Sequence, residues 1–176
     1  MRTLRPVAVA VTAAVAAALV LTACDDGGGD AVDDRGGGAC RIGAVDVQVA
    51  ASPAPAAGDT GTVAVTLTNT GSACTLDGFP TVTLTAGGTS TKVLPDEAAT
   101  AQRLTLDRDT AASFTLTYVR GEAGAASSLP VRSAEFALPG ARATHRFTWS
   151  YGDVAVQGDG GGGPDATVGA FQRAGD

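Results

Sequence analysis

Thr62-Val63-Ala64-Val65-Thr66-Leu67-Thr68-Asn69-Thr70-Gly71 reads as a strand followed by the turn that ends it. Val63, Val65 and Leu67 occupy every second position, with Thr62, Ala64, Thr66 and Thr68 between them. Successive side chains of an extended chain point to opposite faces. This spacing therefore puts branched apolar groups on one face and mostly hydroxyls on the other. β-Branched residues also suit a pleated backbone, where their stiff χ1 packs well against neighbours. Asn69-Thr70-Gly71 then offers residues that bond their own backbone or tolerate positive φ, and the strand stops.

The same period of two recurs on both sides. Val45, Val47 and Val49 alternate with Ala44, Asp46 and Gln48, and Val82 and Leu84 sit between Thr81, Thr83 and Thr85. Phe114, Leu116 and Tyr118 alternate with Ser113, Thr115 and Thr117, and Phe147, Trp149 and Tyr151 with Thr148 and Ser150. Weaker runs lie at 92–94, 103–106, 134–138, 154–156 and 167–171. Gly87-Gly88 suits a two-residue hairpin turn, and Gly152-Asp153 separates Tyr151 from Val154. After residue 40 no helical period is sustained, and 98–102 offers one helical turn at most. The expectation is an all-β domain, an antiparallel immunoglobulin-like β-sandwich of about seven to nine strands.

The N-terminus has the layout of an export signal. Arg2 and Arg5 precede an apolar run over 7–21, broken only by Thr12, and Leu21-Thr22-Ala23-Cys24 follows. That run is short for a bilayer span, which needs roughly 20 residues. The four residues resemble the bacterial lipobox, in which the cysteine receives lipid and the chain is cut before it. The organisation expected is a lipoprotein signal peptide at 1–23 and a Gly/Asp-rich membrane tether at 24–39. A β-sandwich domain follows at 40–157, then at 158–176 a Gly-rich loop leading to a last strand or a tail. A coil of the tether's length holds the domain roughly 20 Å from the membrane. Diacylglyceryl on Cys24, as the lipobox implies, adds two acyl chains, enough for stable anchoring. Losing Arg2 and Arg5 takes the net charge from −6 to −8. That sign opposes nucleic acid as a partner, and no basic cluster offsets it.

Three cysteines occur in the chain. With Cys24 assigned to lipid, Cys40 and Cys74 remain, and an even remainder in an exported protein reads as a disulfide. Cys40 lies before the first strand and Cys74 shortly after the second. In an antiparallel pair the start of one strand sits beside the end of the next, so the two cysteines are expected to be neighbours.

The stretch Leu67-Thr68-Asn69-Thr70-Gly71-Ser72-Ala73-Cys74-Thr75-Leu76-Asp77-Gly78-Phe79-Pro80 resembles the domain of unknown function 4232 of secreted proteins and lipoproteins in actinobacteria. In that family an Asn-x-Gly turn is followed by a cysteine, a leucine and a Gly-aromatic-Pro step. Cys40 matches the family's partner cysteine. Residues 106–118 resemble its later strand, with Asp107-Arg108-Asp109 where a Pro-Gly turn is usual. A further cysteine pair frequent in the family's C-terminal half is missing here. The resemblance spans residues 40–119 and implies a β-sandwich at the cell envelope, with no established chemistry.

Chemistry-bearing motifs are sparse. His145 is the sole histidine, set between Thr144 and Arg146 at a strand start, where a solvent-facing side chain is expected. No serine lies in a Gly-x-Ser-x-Gly elbow, so neither a nucleophile–base pair nor a catalytic site is expected. One histidine and no methionine after Met1 argue against soft-metal sites. Asp153, Asp159 and Asp165 match no calcium-loop spacing and read as loop solvation. Tyr151 and Trp149 are the candidate ligand contacts, although Phe147, Trp149 and Tyr151 on one face are expected mainly to fill the core. No cofactor is expected, and no oligomeric state follows from the sequence. The functional expectation is a lipid-anchored, extracytoplasmic cell-envelope lipoprotein held in the membrane through Cys24. It acts as a non-catalytic binding or structural module toward an envelope protein or polymer. The rival readings are an envelope-associated hydrolase and an inert surface spacer.

Overall fold

The computed structural model describes residues 37–158 and 162–174. The expected signal peptide, Cys24, most of the tether and Asp159 lie outside the described residues. A 3-10 turn at Ile42–Ala44 leads into β1 (Val45–Ser52), β2 (Thr60–Asn69), β3 (Cys74–Leu76) and β4 (Thr81–Ala86). These are followed by β5 (Thr89–Pro95), β6 (Leu104–Leu106), β7 (Ala111–Val119), β8 (Ser128–Leu129) and β9 (Val131–Ala137). The chain ends with β10 (Thr144–Thr148), β11 (Val154–Ala155), β12 (Ala166–Val168) and β13 (Gln172–Arg173). The described residues are thus all-β, with no α-helix among them. The thirteen strands exceed the expected seven to nine because six are only two or three residues long. Of these, β6, β11 and β12 fall on the weaker runs at 103–106, 154–156 and 167–171, whereas β3, β8 and β13 leave no periodic signature. The remaining seven overlap the alternating and weaker runs, although β10 ends at Thr148, before Tyr151.

β2 and β7 form the longest pairing, Thr60↔Val119 through Thr68↔Ala111. Val63 faces Leu116 and Val65 faces Phe114 across this ladder, all four buried, while Thr62↔Thr117 and Thr66↔Ser113 point the other way. The threonine alternation is the outer face of a sheet whose inner face is dry. β1 pairs with β2, placing Val45 opposite Asn69. β4 and β5 form a hairpin closed by Gly87 and Gly88, with φ of 55° and 84°. Positive φ at both central residues is what a tight I′-type turn requires, and glycine supplies it without a Cβ clash.

The main sheet runs β1-β2-β7-β12-β5-β4-β9-β10, with β13 also on β7. It is mixed, which corrects the antiparallel expectation. β12 is antiparallel to β7 (Val168↔Leu116) but parallel to β5 (Thr167↔Leu94). β7 and β5 run in opposite directions, so any single strand inserted between them must be parallel to one. Alternation along a sequence carries no information on that choice. In a flat sheet β7 and β9 would stand roughly 19 Å apart. Their Phe114 and Phe136 rings are instead 5.2 Å apart, edge to face. The sheet therefore curls around one interior, which Phe171 joins at 5.5 Å from Phe114. Leu67, Val82, Leu84, Val93, Leu106 and Val168 fill the rest of that interior. Burying each such side chain contributes about 1.5–3 kcal/mol before entropy is counted.

The Asn69-x-Gly71 turn is built around a fully buried amide. Asn69 Nδ2 donates to the carbonyls of Ser72 and Leu106, both at 2.9 Å, and its Oδ1 accepts from the Gly71 N–H at 3.0 Å. The Asn69 carbonyl also accepts from the Asp109 N–H at 2.8 Å, and Asp109 takes a φ of 63°. One side chain thus ties the end of β2 to the turn between β6 and β7. Asp is among the few L-residues that enter the left-handed region readily, so it can take this turn position.

Candidate functional site

β5 and β12 run side by side only briefly. The Asp96 N–H donates to the Val168 carbonyl at 2.9 Å, and beyond that bond the two segments part. The β5 chain leaves through a turn in which Asp96 Oδ1 accepts from the Ala98 N–H at 2.9 Å. The other chain continues along β7, where Gln172 pairs with Ser113. A cleft of about 540 Å³ opens between them. Leu104, Ala170 and Phe171 give it an apolar lining, while Asp96, Thr100, Gln102, Gln172 and Arg173 add polar groups. Arg173 also donates to the Thr105 carbonyl at 3.2 Å, which holds its guanidinium at one end of the cleft. An open volume of this size with a few polar groups at its margins is the form of a small-ligand site. Leu94, the one exposed large hydrophobic side chain among the described residues, lies two positions before Asp96. A second, shallower hollow of about 550 Å³ lies between Arg41, Ile42, Ala141 and Arg142.

The aromatic candidates lie elsewhere, Trp149 in the core and Tyr151 half-buried beside it. Trp149 is only 4% exposed and contacts Tyr118 and Tyr151 edge to face, each at 4.9 Å. Its indole N–H donates to the Gly152 carbonyl at 2.7 Å. Buried Tyr118 donates its hydroxyl to the Tyr151 carbonyl at 2.8 Å and accepts from the Ala54 N–H at 3.3 Å. The strand expected to reach Tyr151 stops at Thr148, because this network folds 149–152 inward. Tyr151 is half-buried. Arg120, which no sequence pattern singled out, donates to the carbonyls of Ala54 and Pro55 at 2.8 and 3.0 Å. A Cβ on Gly152, which has a φ of 90°, would stand 2.9 Å from Arg120 Nε. The close approach requires glycine there.

Cys40 and Cys74 form a disulfide with Cα atoms 4.9 Å apart. The contact is not made at the β1–β2 ends themselves. It runs through the segment before β1, where Cys40 N–H donates to the Thr75 carbonyl and Thr75 N–H to the Gly38 carbonyl, both at 3.0 Å. β3, so stapled, pairs with β6, Cys74 opposite Leu106. His145 lies at the start of β10, half-buried and so partly open to solvent, opposite Phe136 in register with ring centroids 5.4 Å apart. Its phase with Phe147 two positions on places it there, whatever the polarity of its neighbours. The Asp153 carboxylate accepts from the Gly124 N–H at 3.2 Å. Among the described residues no three histidine, cysteine or acidic side chains gather in a metal-binding arrangement, and no helix is long and apolar enough to cross a membrane.

No curated protein and no solved structure matches the chain. A family model does, over residues 40–172, from the disulfide's first cysteine to the second residue before Ala174. That range takes in β12, the Asn69-x-Gly71 turn and the cleft lining as far as Gln172, one residue short of Arg173. The chain belongs to the family described as domain of unknown function (DUF4232).

Proposed function

We propose that this protein is a lipid-anchored, extracytoplasmic lipoprotein of the cell envelope whose domain binds rather than catalyses. The observation that carries the reading is the use of cysteines. Cys40 and Cys74 pair with each other, which leaves Cys24, at the end of the apolar run, as the third cysteine of the chain. Disulfides persist in oxidising compartments outside the cytoplasm, and a cysteine behind an apolar segment suits lipid attachment. The 540 Å³ cleft favours a binding module over an inert spacer. We also read the curled sheet as an immunoglobulin-like sandwich, supported by the edge-to-face packing of Phe114 on Phe136. An actinobacterial source fits the family resemblance.

Mass spectrometry of the mature N-terminal peptide tests the anchor: it should begin at Cys24 and carry the mass of a diacylglyceryl group. Cys24→Ser should move the protein out of the membrane fraction or leave it unprocessed. A mature wild-type peptide without lipid overturns the reading.

A further inference from the structure

We propose that the cleft between residues 96–104 and 169–173 binds a short, extended peptide with free termini, laid along the open edge of the 169–173 segment. This deepens the binding-module reading above and rests on it. The topology supplies the first argument. β12 has neighbours on both sides, β7 and β5. Once β5 turns away at Asp96, the continuing chain pairs with β7 alone, as β13, and its other edge faces the cleft. A sheet edge with a vacant lane beside it accepts an extended peptide through main-chain hydrogen bonds, largely irrespective of sequence.

Charge placement gives the direction. Asp96 stands where the lane begins, bonded through its backbone to Val168, and Arg173 stands where it ends. A peptide parallel to 169–173, continuing the sense in which β5 lies beside β12, brings its ammonium group toward Asp96 and its carboxylate toward Arg173. The reverse orientation opposes like charges at both ends. From Gly169 to Arg173 a strand advances roughly 13 Å, the length of an extended tetrapeptide. Thr100, Gln102 and Gln172 offer side-chain donors and acceptors along the way, and Leu104, Ala170 and Phe171 present an apolar lining suited to small side chains. Arg173 is already steadied by the Thr105 carbonyl, so its guanidinium loses little freedom on taking a carboxylate.

The test titrates tetraalanine into the full-length, ¹⁵N-labelled protein in detergent and follows amide shifts. Free tetraalanine should shift the amides of Ala170, Phe171 and Arg173. N-acetylated, C-amidated tetraalanine should bind at least about tenfold more weakly. Arg173→Gln should weaken the free peptide but have no further effect on the C-amidated one, and Asp96→Asn should behave likewise toward the N-acetylated one. Spectra of both variants away from the cleft should match the parent, which reports an intact fold. No shift by about 10 mM peptide, equal binding of the capped peptide, or the same shifts produced by chitotetraose in its place overturns the proposal. The N-terminal mass of the same preparation keeps the two readings apart. A lipidated protein without peptide binding loses only this inference, whereas a lipid-free protein that binds peptide loses only the anchor.

Discussion

Asn69 concentrates more of the fold in one side chain than any other polar residue described. Both its amide hydrogens and its oxygen are used, at zero exposure, and its main chain holds Asp109 and Thr110 as well. Asn69→Ala should cost about 2–4 kcal/mol, because it leaves buried carbonyls and an N–H without partners. Asn69→Asp should cost more at neutral pH, since a carboxylate cannot donate to the Ser72 and Leu106 carbonyls. Burial among those oxygens raises the new carboxyl's pKa in the folded state above its unfolded value. The folded form then holds the proton more tightly, so the variant should lose stability as pH rises above about 4, while Asn69→Ala should show no such added slope. Urea denaturation of both variants between acid and neutral pH checks the pair. A second comparison separates core from periphery. Trp149→Ala should cost about 3–5 kcal/mol, given its burial and its bond to Gly152. His145→Ala, losing only an edge-strand contact with Phe136, should cost about 0.5–1 kcal/mol. Equal midpoints for the two variants in thermal melts would refute the packing described here.

At the scale of elements, the disulfide acts on a strand too short to hold itself. β3 is three residues long and pairs with β6 on one side, while on the other it makes a single bridge, Thr75 to Ala39, so its position leans on the staple to the segment before β1. Reducing the bridge should lower stability by about 3–4 kcal/mol on the chain-entropy estimate for a separation of 34 residues. Hydrogen exchange should show the Thr75 amide opening first. Legibility in the sequence follows the same division between long and short elements. Val63, Val65 and Leu67, and Phe114, Leu116 and Tyr118, announce their strands because one face is dry and the other is wet. β3, β8 and β13 are set by tertiary partners and leave no period to find. His145, in phase with Phe147 at the start of an edge strand, is half-buried: its phase turns it toward Phe136 while its place at the strand start leaves it partly wet. The cleft has no local signature at all. It exists because β5 turns at Asp96 while β12 goes on, and neither segment alone records that divergence.

For the whole molecule, the strand that joins the sheet comes from near the end of the chain. β12 lies between the β1-β2-β7 and β5-β4-β9-β10 groups, and Val168 and Phe171 behind it are almost wholly buried. Deleting residues from 164 onward removes more apolar packing than a typical stability of 5–15 kcal/mol can absorb beside two newly bared edges. The truncated protein should lack a cooperative thermal transition by circular dichroism, and a sharp transition at the parent's midpoint would contradict this topology. The same arrangement sets a clock on folding. A polypeptide emerges from its N-terminus, so residues 40 and 74 are free to meet early, while the β1-β2-β7 and β5-β4-β9-β10 groups stay unjoined until β12 arrives between them. Domains dominated by distant pairings mature in milliseconds to seconds once complete. Until then the nascent chain carries half-built sheets with sticky margins, the state in which chaperone capture and delivery in an unfolded form are easiest.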